Sequence, residues 1–241
     1  MNLLRLAIGG IVIIPQSWFR WWPKFPMVVH SPYIWEILMQ VPIKIQWEQL
    51  CDSVEKLELE IAQTDFPIPT PQMCKLLIVG EDHRFYEHLG VDLFALCRAL
   101  WKTVFCGVRQ GGSTIAMQFV RAVTGRYEKT WRRKFIEIFF AVRLTRYIPK
   151  DRLPILYLWI AYYGWGMNNF RQACTRLRIN PKSINVFEAA KLVARLKYPE
   201  PGECGSEHLE KIQRRGRHLI TLANTMSESL KSYGEIQNET F

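Results

Sequence analysis

Glu81-Asp82-His83-Arg84-Phe85-Tyr86-Glu87-His88-Leu89-Gly90-Val91-Asp92 crowds acids, histidines and aromatics into a turn between two apolar helices. Asp92 can cap the second of them. Its apolar positions Leu93, Leu96, Cys97, Leu100, Trp101, Val104 and Phe105 recur at i, i+3 and i+4 as far as Gly107, the stop. The same signals, followed outward, predict helices over most of the chain. One covers residues 47–62, and Phe66-Pro67-Ile68-Pro69-Thr70-Pro71 reads as an extended connection after it. Ser113 or Thr114 opens a helix closed by Gly125. Another spans residues 128–147 and stops before Pro149. Asp151 caps the next, with Pro154 tolerated in its first turn. Ser183 starts one ended by Pro199, and residues 207–229 form the last. No run alternates as a strand does, and there is no internal repeat. The expected fold class is mainly α.

Composition narrows the partners. Of 241 residues, 49% are hydrophobic and 22% charged, enough to bury a sizeable core, so a disordered, collagenous or disulfide-scaffold chain is excluded. Lys and Arg number 32 against 22 Asp and Glu, a formal net charge of +10, and aromatics reach 13% with nine Trp. A basic, aromatic-rich protein suits a nucleic acid, a phospholipid surface or a pyrophosphate-bearing substrate. The six cysteines form no CxxC pair and read as small buried hydrophobes. At the N-terminus, residues 6–14 are uniformly apolar. That is shorter than the ~20 residues a spanning helix needs. Trp18-Phe19-Arg20-Trp21-Trp22-Pro23-Lys24-Phe25 follows, a membrane-interface composition. Residues 1–25 are therefore expected to be a membrane anchor or interfacial segment. Residues 26–70 form a linker with an N-terminal helix, 71–230 the main domain and 231–241 a tail.

Two further segments carry chemistry. Gln110-Gly111-Gly112-Ser113-Thr114-Ile115-Ala116-Met117-Gln118 feeds a glycine pair into a helix start, where free backbone N–H groups suit an anion. Arg132-Arg133-Lys134-Phe135-Ile136-Glu137 sets Arg133 and Lys134 four and three residues before Glu137, on one helical face. Each has an ordinary reading as surface turn, flexible loop or solvated face. Their order and spacing distinguish them.

Together they resemble the peptidoglycan glycosyltransferases, glycosyltransferase family 51, of the monofunctional biosynthetic type. Glu-Asp-x-x-Phe-x-x-His-x-Gly is matched by Glu81, Asp82, Phe85, His88 and Gly90. Gly-Gly-Ser-Thr-Ile-x-Gln-Gln is matched by Gly111, Gly112, Ser113, Thr114, Ile115 and Gln118, and Arg-Lys-x-x-Glu by Arg133, Lys134 and Glu137. The likeness runs through residues 155–173 and Glu188-Ala189-Ala190 to Arg214-Arg215-Gly216-Arg217, about residues 70–225.

The resemblance implies a lysozyme-like large lobe and a smaller, membrane-associated jaw lobe. Leu100, Trp101, Val104 and Phe105 face either the bilayer or the core. It implies polymerisation of lipid II at the periplasmic or extracellular face of the cytoplasmic membrane. The donor is a glycan linked to undecaprenyl pyrophosphate, and the anomeric carbon inverts. Glu81 would be the general base on the acceptor hydroxyl, and Glu137 would assist pyrophosphate departure. In some accounts a divalent metal such as Mg or Mn sits near Glu137; no other cofactor is implied. Arg121, Arg126, Arg133 and Lys134 would supply positive charge. Asp82, Phe85, His88, Gly111, Gly112, Ser113, Thr114 and Gln118 complete the expected substrate-binding set. Expected partners are these lipid substrates, the membrane and other cell-wall synthesis proteins, not nucleic acid. The chain ends soon after the Arg-Gly-Arg motif, so no transpeptidase domain is expected.

Departures are local. Where the family reads Ile-Leu-Glu-x-Tyr-Leu-Asn, this chain has Leu153-Pro154-Ile155-Leu156-Tyr157-Leu158-Trp159, so Ile155 replaces Glu and Trp159 replaces Asn. Met117 replaces the first Gln of the second motif, Arg121 stands where Lys is usual, and Asn169 replaces a Gly. A catalytically weak or inactive relative that binds lipid II or a cell-wall partner is the alternative function.

Overall fold

The computed structural model describes residues 43–108 and 111–238, with side chains as far as residue 226. The expected anchor over residues 1–25, the following stretch to residue 42, Gln110 and the last three residues lie outside the described residues. Among the described residues there are nine α-helices and one 3-10 turn, with isolated backbone bridges and no strand. The protein is mainly α, as its periodicity predicts.

Helix α1 (Ile43–Gln63) buries Trp47, Leu50, Val54 and Ile61, one stripe at spacings of three, four and seven. Helix α2 (Pro71–Glu81) starts on Thr70, whose hydroxyl accepts from the Met73 N–H at 3.3 Å, with Pro71 in the first turn. Met73, Leu76, Leu77, Ile78 and Val79 are buried on more than one face, so α2 is a central element rather than a surface one. It packs against α6 (Arg152–Ile160), α8 (Val186–Lys197) and α9 (Ser206–Asn238). Helix α4 (Ile115–Thr124) packs on α1, α5 (Trp131–Tyr147) and α6. Phe119, Phe140, Leu144, Leu156 and Phe170 are almost wholly enclosed. Each such side chain contributes ~1.5–3 kcal/mol relative to exposure.

Helix starts differ from the sequence expectation where a cap decides them. The helix expected from residue 128 begins at Trp131, because the Thr130 hydroxyl accepts the Arg133 N–H at 3.2 Å. The one expected from Ser183 begins at Val186, where Asn185 and Glu188 form a reciprocal capping box. Asp151 stands at the start of α6 but its side chain makes no cap bond. It instead partners the Tyr86 hydroxyl. Helix α7 (Phe170–Leu177) is an addition to the expected set. Asn169 caps it, accepting from Gln172 N at 2.8 Å. That residue is the one that departs from the family glycine.

Helix α3 (Leu93–Phe105) behaves differently from the rest. Asp92 caps it as expected, accepting the Ala95 N–H at 2.9 Å, yet of its thirteen residues only Ala99 is buried. Leu93, Phe94, Leu100, Trp101, Val104 and Phe105 are all exposed, the last at 68%. Trp101 and Phe105 stack on each other with centroids 4.2 Å apart. On α5, Trp131, Phe135 and Phe139 repeat this exposure at four-residue spacing. Among the described residues these α3 positions are therefore exposed surface rather than core. No helix among the described residues is long and apolar enough to cross a membrane.

Candidate active site

Glu81 ends α2, and two distant elements hold its carboxylate. Arg215 of α9 donates from Nη2 to Oε1 at 3.2 Å and to the Gly80 carbonyl at 2.7 Å. Gln118 of α4 donates from Nε2 to Oε2 at 3.4 Å. A Cβ at position 80 would overlap the tip of Leu219 and lie 3.2 Å from Arg215 Nη2, so both side chains would have to shift to admit it. The Glu81 side chain keeps one-fifth of its surface open. Tyr157 lies near it in the electrostatic sense. Burial, with a smaller push from the Glu81 charge, raises the Tyr157 phenol far above its ordinary value, so it remains a neutral hydroxyl.

Glu137 is the opposite case. Its side chain is 3% exposed and three cations close on it. Arg121 forks across both oxygens, Nη2 to Oε1 at 2.8 Å and Nε to Oε2 at 3.2 Å. Arg133 donates to Oε2, and Lys134 Nζ donates to Oε1 at 3.2 Å. Burial lowers the Lys134 ammonium below its usual value while the Glu137 charge opposes that shift. Lys134 also donates to the Ser113 hydroxyl at 3.0 Å, with Arg121 Nη2 3.5 Å from the same oxygen. Arg121, Arg126, Arg133 and Glu137 line one small cleft of about 10 Å³, room for a single water. The cluster carries two positive charges in excess of its carboxylate.

Other expected contact residues form the frame behind these two carboxylates. His88 Nε2 donates to Asp82 Oδ1 at 2.8 Å, and Asp82 Oδ2 accepts the Ile115 N–H at 3.0 Å, tying the first motif to the start of α4. Thr114 donates to the Gly90 carbonyl at 2.6 Å and caps α4. Phe85, Asp82 and Thr114 are nearly enclosed, so they offer little surface to a ligand. Gly90 sits at φ +86°, where a Cβ would overlap the Ala141 carbonyl. Gly112 lets α3 approach, its Cβ position being 3.0 Å from Ala99 Cβ, whereas Gly111 faces open space. Met117, in place of Gln, is fully buried.

The altered fourth motif lies on α6. Tyr157 is the member near Glu81. Trp159 packs edge-on against Phe66 at 6.2 Å and tilted against Phe170 at 6.4 Å, and its indole N–H donates to Glu60 of α1 at 3.1 Å. At ~100° per residue, positions two apart point to opposite faces and positions four apart share one. Ile155 and Trp159 therefore share the face turned away from Tyr157.

No three His, Cys, Asp or Glu side chains among the described residues cluster to hold a metal. Around Glu137 both oxygens are engaged by cations, so these residues do not fit a protein-held divalent ion. Arg215 and Tyr157 had no assigned role in the sequence reading, although both fall inside the motifs. Gln46, whose amide oxygen accepts from Arg126 Nη1 at 2.7 Å, gave no sequence signal.

Residues 54–224 match the transglycosylase family. Penicillin-binding protein 1A of Escherichia coli strain K12 is 35% identical over 157 residues, covering 62% of this chain and 18% of that protein. Penicillin-binding protein 1F of Bacillus subtilis strain 168 is 36% identical over 131 residues, 53% of this chain and 18% of its own. Penicillin-binding protein 1A of Neisseria gonorrhoeae is 34% identical over 201 residues, 80% of this chain and 23% of its own. The chain thus spans about a fifth of the length of these relatives. With the match running from the middle of α1 through most of α9, and both motif glutamates inside it, the chain belongs to the transglycosylase family.

Proposed function

We propose that the protein is a peptidoglycan glycosyltransferase that polymerises lipid II and releases undecaprenyl pyrophosphate. The observation that carries this reading is the contrast between its two carboxylates. Glu81 is anchored yet partly open, and Glu137 is sealed beneath Arg121, Arg133 and Lys134. An open carboxylate can take a proton from the acceptor 4-hydroxyl, a step worth ~10²–10⁴-fold. The hydroxyl oxygen then bonds to the donor anomeric carbon from the face opposite the pyrophosphate. The bond to the pyrophosphate oxygen breaks with its electron pair, and the surplus positive charge around Glu137 stabilises the departing anion. In this arrangement Glu137 organises the cations rather than donating a proton.

The exposed apolar face of α3 is the membrane-facing surface in this reading, presenting the jaw lobe to the bilayer where the lipid substrates reside. The +10 charge is then divided between the pyrophosphate cluster and the anionic membrane surface. The protein acts at the outer face of the cytoplasmic membrane among other cell-wall synthesis proteins.

The test is incubation of the purified protein with labelled lipid II in detergent, alongside Glu81→Gln. Polymer from the wild type that disappears in the variant is the expected outcome. A second reading, a relative that binds lipid II without turnover, is favoured by Ile155 and Trp159, which lack the carboxylate and amide of the family. Wild-type protein that binds lipid II and forms no polymer would establish it instead. Against that reading, helical spacing sets both altered side chains on the face of α6 opposite Tyr157.

A further inference from the structure

Helix α6 brings to the site one polar group that the fold leaves without a partner. Its other long donors are engaged by α1. Arg152 forks onto Glu58, from Nε at 3.2 Å and from Nη2, and the Trp159 indole N–H is held by Glu60. Tyr157 is the exception. Its ring is packed into the core, with 9% of the residue exposed. Its hydroxyl makes no hydrogen bond among the described residues. Nor is its oxygen one of the unpartnered polar atoms sealed away from solvent. Six residues on, Tyr163 shows the ordinary arrangement of a buried phenol. It is wholly enclosed, and its hydroxyl donates to the Leu158 carbonyl at 2.7 Å.

The surroundings of the Tyr157 hydroxyl come from three elements. Helix α6 packs on α2, which ends in Glu81, and on α4, which carries Arg121. Glu81, Tyr127 and Arg121 all lie within electrostatic range of the phenol, and Glu81 acts on it more strongly than Arg121 does. Glu81 nevertheless does not accept from it. The Glu81 oxygens are held by Arg215 and Gln118 instead. The phenol is thus flanked by the open carboxylate and by the edge of the cationic cluster, bonded to neither.

We propose that the Tyr157 hydroxyl is a further substrate-contacting group, which donates a hydrogen bond to the acceptor sugar hydroxyl while Glu81 takes that hydroxyl's proton. The phenol O–H meets one lone pair of the acceptor oxygen, and the acceptor O–H points at Glu81. These two contacts fix the direction of the remaining lone pair, which bonds to the anomeric carbon. The phenol keeps its proton throughout, so no bond breaks at Tyr157. A neutral donor suits the position. A cation there would pair with Glu81 and draw electron density from the attacking oxygen more strongly. The proposal rests on the reading of Glu81 as the base of a glycosyl transfer.

Tyr157→Phe removes only the oxygen. Turnover of labelled lipid II in detergent, lipid II binding and thermal unfolding are measured on the full chain for the wild type, Tyr157→Phe and Glu81→Gln. Tyr163→Phe is the comparison for a hydroxyl that serves the fold. Tyr157→Phe is expected to lower kcat/KM about tenfold, the reach of one neutral hydrogen bond, mostly through kcat. Its unfolding midpoint should stay at or above the wild-type value, because no intramolecular bond is lost. Tyr163→Phe should do the opposite, lowering the midpoint while kcat/KM stays within about twofold. Turnover lost in Glu81→Gln but unchanged in Tyr157→Phe overturns the proposal alone. So does a Tyr157→Phe loss that comes with a fallen midpoint, which marks a packing role. Turnover that survives Glu81→Gln overturns the reading beneath it instead. If the wild type makes no polymer, that reading fails too, and unchanged lipid II affinity in Tyr157→Phe then removes the contact as well.

Discussion

Glu81 and Glu137 are the same side chain in two contrasting settings. Glu81 has one cation and one amide as partners, each on a different helix, and it keeps an open edge. Glu137 has three cations, two of them on its own helix, and no open edge. The first setting leaves lone pairs for a reacting proton. The second consumes them in hydrogen bonds and makes the carboxylate a fixed counter-charge. Residue type alone would have assigned both to acid–base work. In the proposed reaction, partner count and exposure are what assign Glu81 to the reacting proton and Glu137 to organising the cations.

The widest gap between the two should open in the glutamine variants. Glu81→Gln should lower turnover by ~10²–10⁴-fold while leaving the unfolding midpoint near the wild-type value, because Gln can still accept from Arg215. Glu137→Gln should show the reverse emphasis. Three cations lose their counter-charge, and breaking a buried ion pair from one side costs on the order of 3 kcal/mol, read by chemical denaturation. If Glu137→Gln unfolds like the wild type and loses turnover as Glu81→Gln does, the contrast is wrong. Arg121→Lys sharpens it further. The ammonium keeps the charge but cannot span both Glu137 oxygens, and a loss of about tenfold in kcat/KM is expected. The smallest effect on folding lies on the exposed face of α3. Trp101→Ser with Phe105→Ser on α3 should change stability by no more than about 0.5 kcal/mol per site. The pair should nevertheless reduce co-sedimentation with anionic vesicles. A clear drop in stability would show instead that these side chains are covered in the folded protein.

Much of this arrangement was legible in the sequence. The spacing of Arg133, Lys134 and Glu137 placed three charged groups on one helical face, and they meet there. Asp92 announced its own cap, and the apolar period of α3 was visible. What periodicity could not state was whether that face would be covered. Core and bilayer produce the same pattern, and only tertiary packing distinguishes them. The reach of Arg215 to Glu81 and of Arg126 to Gln46 spans 134 and 80 residues. No local signal encodes contacts at such separations. The scaffold role of Asp82 and Phe85 was hidden for a related reason. A motif marks residues that matter at a site without saying whether they touch the ligand or hold the residues that do. The change of Gly to Asn at position 169 reads in the sequence only as a departure from the family and is a helix cap, because the eight-residue helix it starts is too short to announce itself.

Helix α4 has one further consequence. Gln118 reaches Glu81 and Arg121 reaches Glu137 from the same helix, three residues apart. A helix rises about 1.5 Å per residue, so the two attachment points are separated by roughly 4.5 Å along a rod that does not stretch. A one-residue insertion or deletion between them would swing one side chain through about 100° and detach it from its carboxylate. Residues 118–121 should therefore tolerate changes of side chain far better than changes of length. In that sense α4 is a ruler that gauges the gap between the two carboxylates.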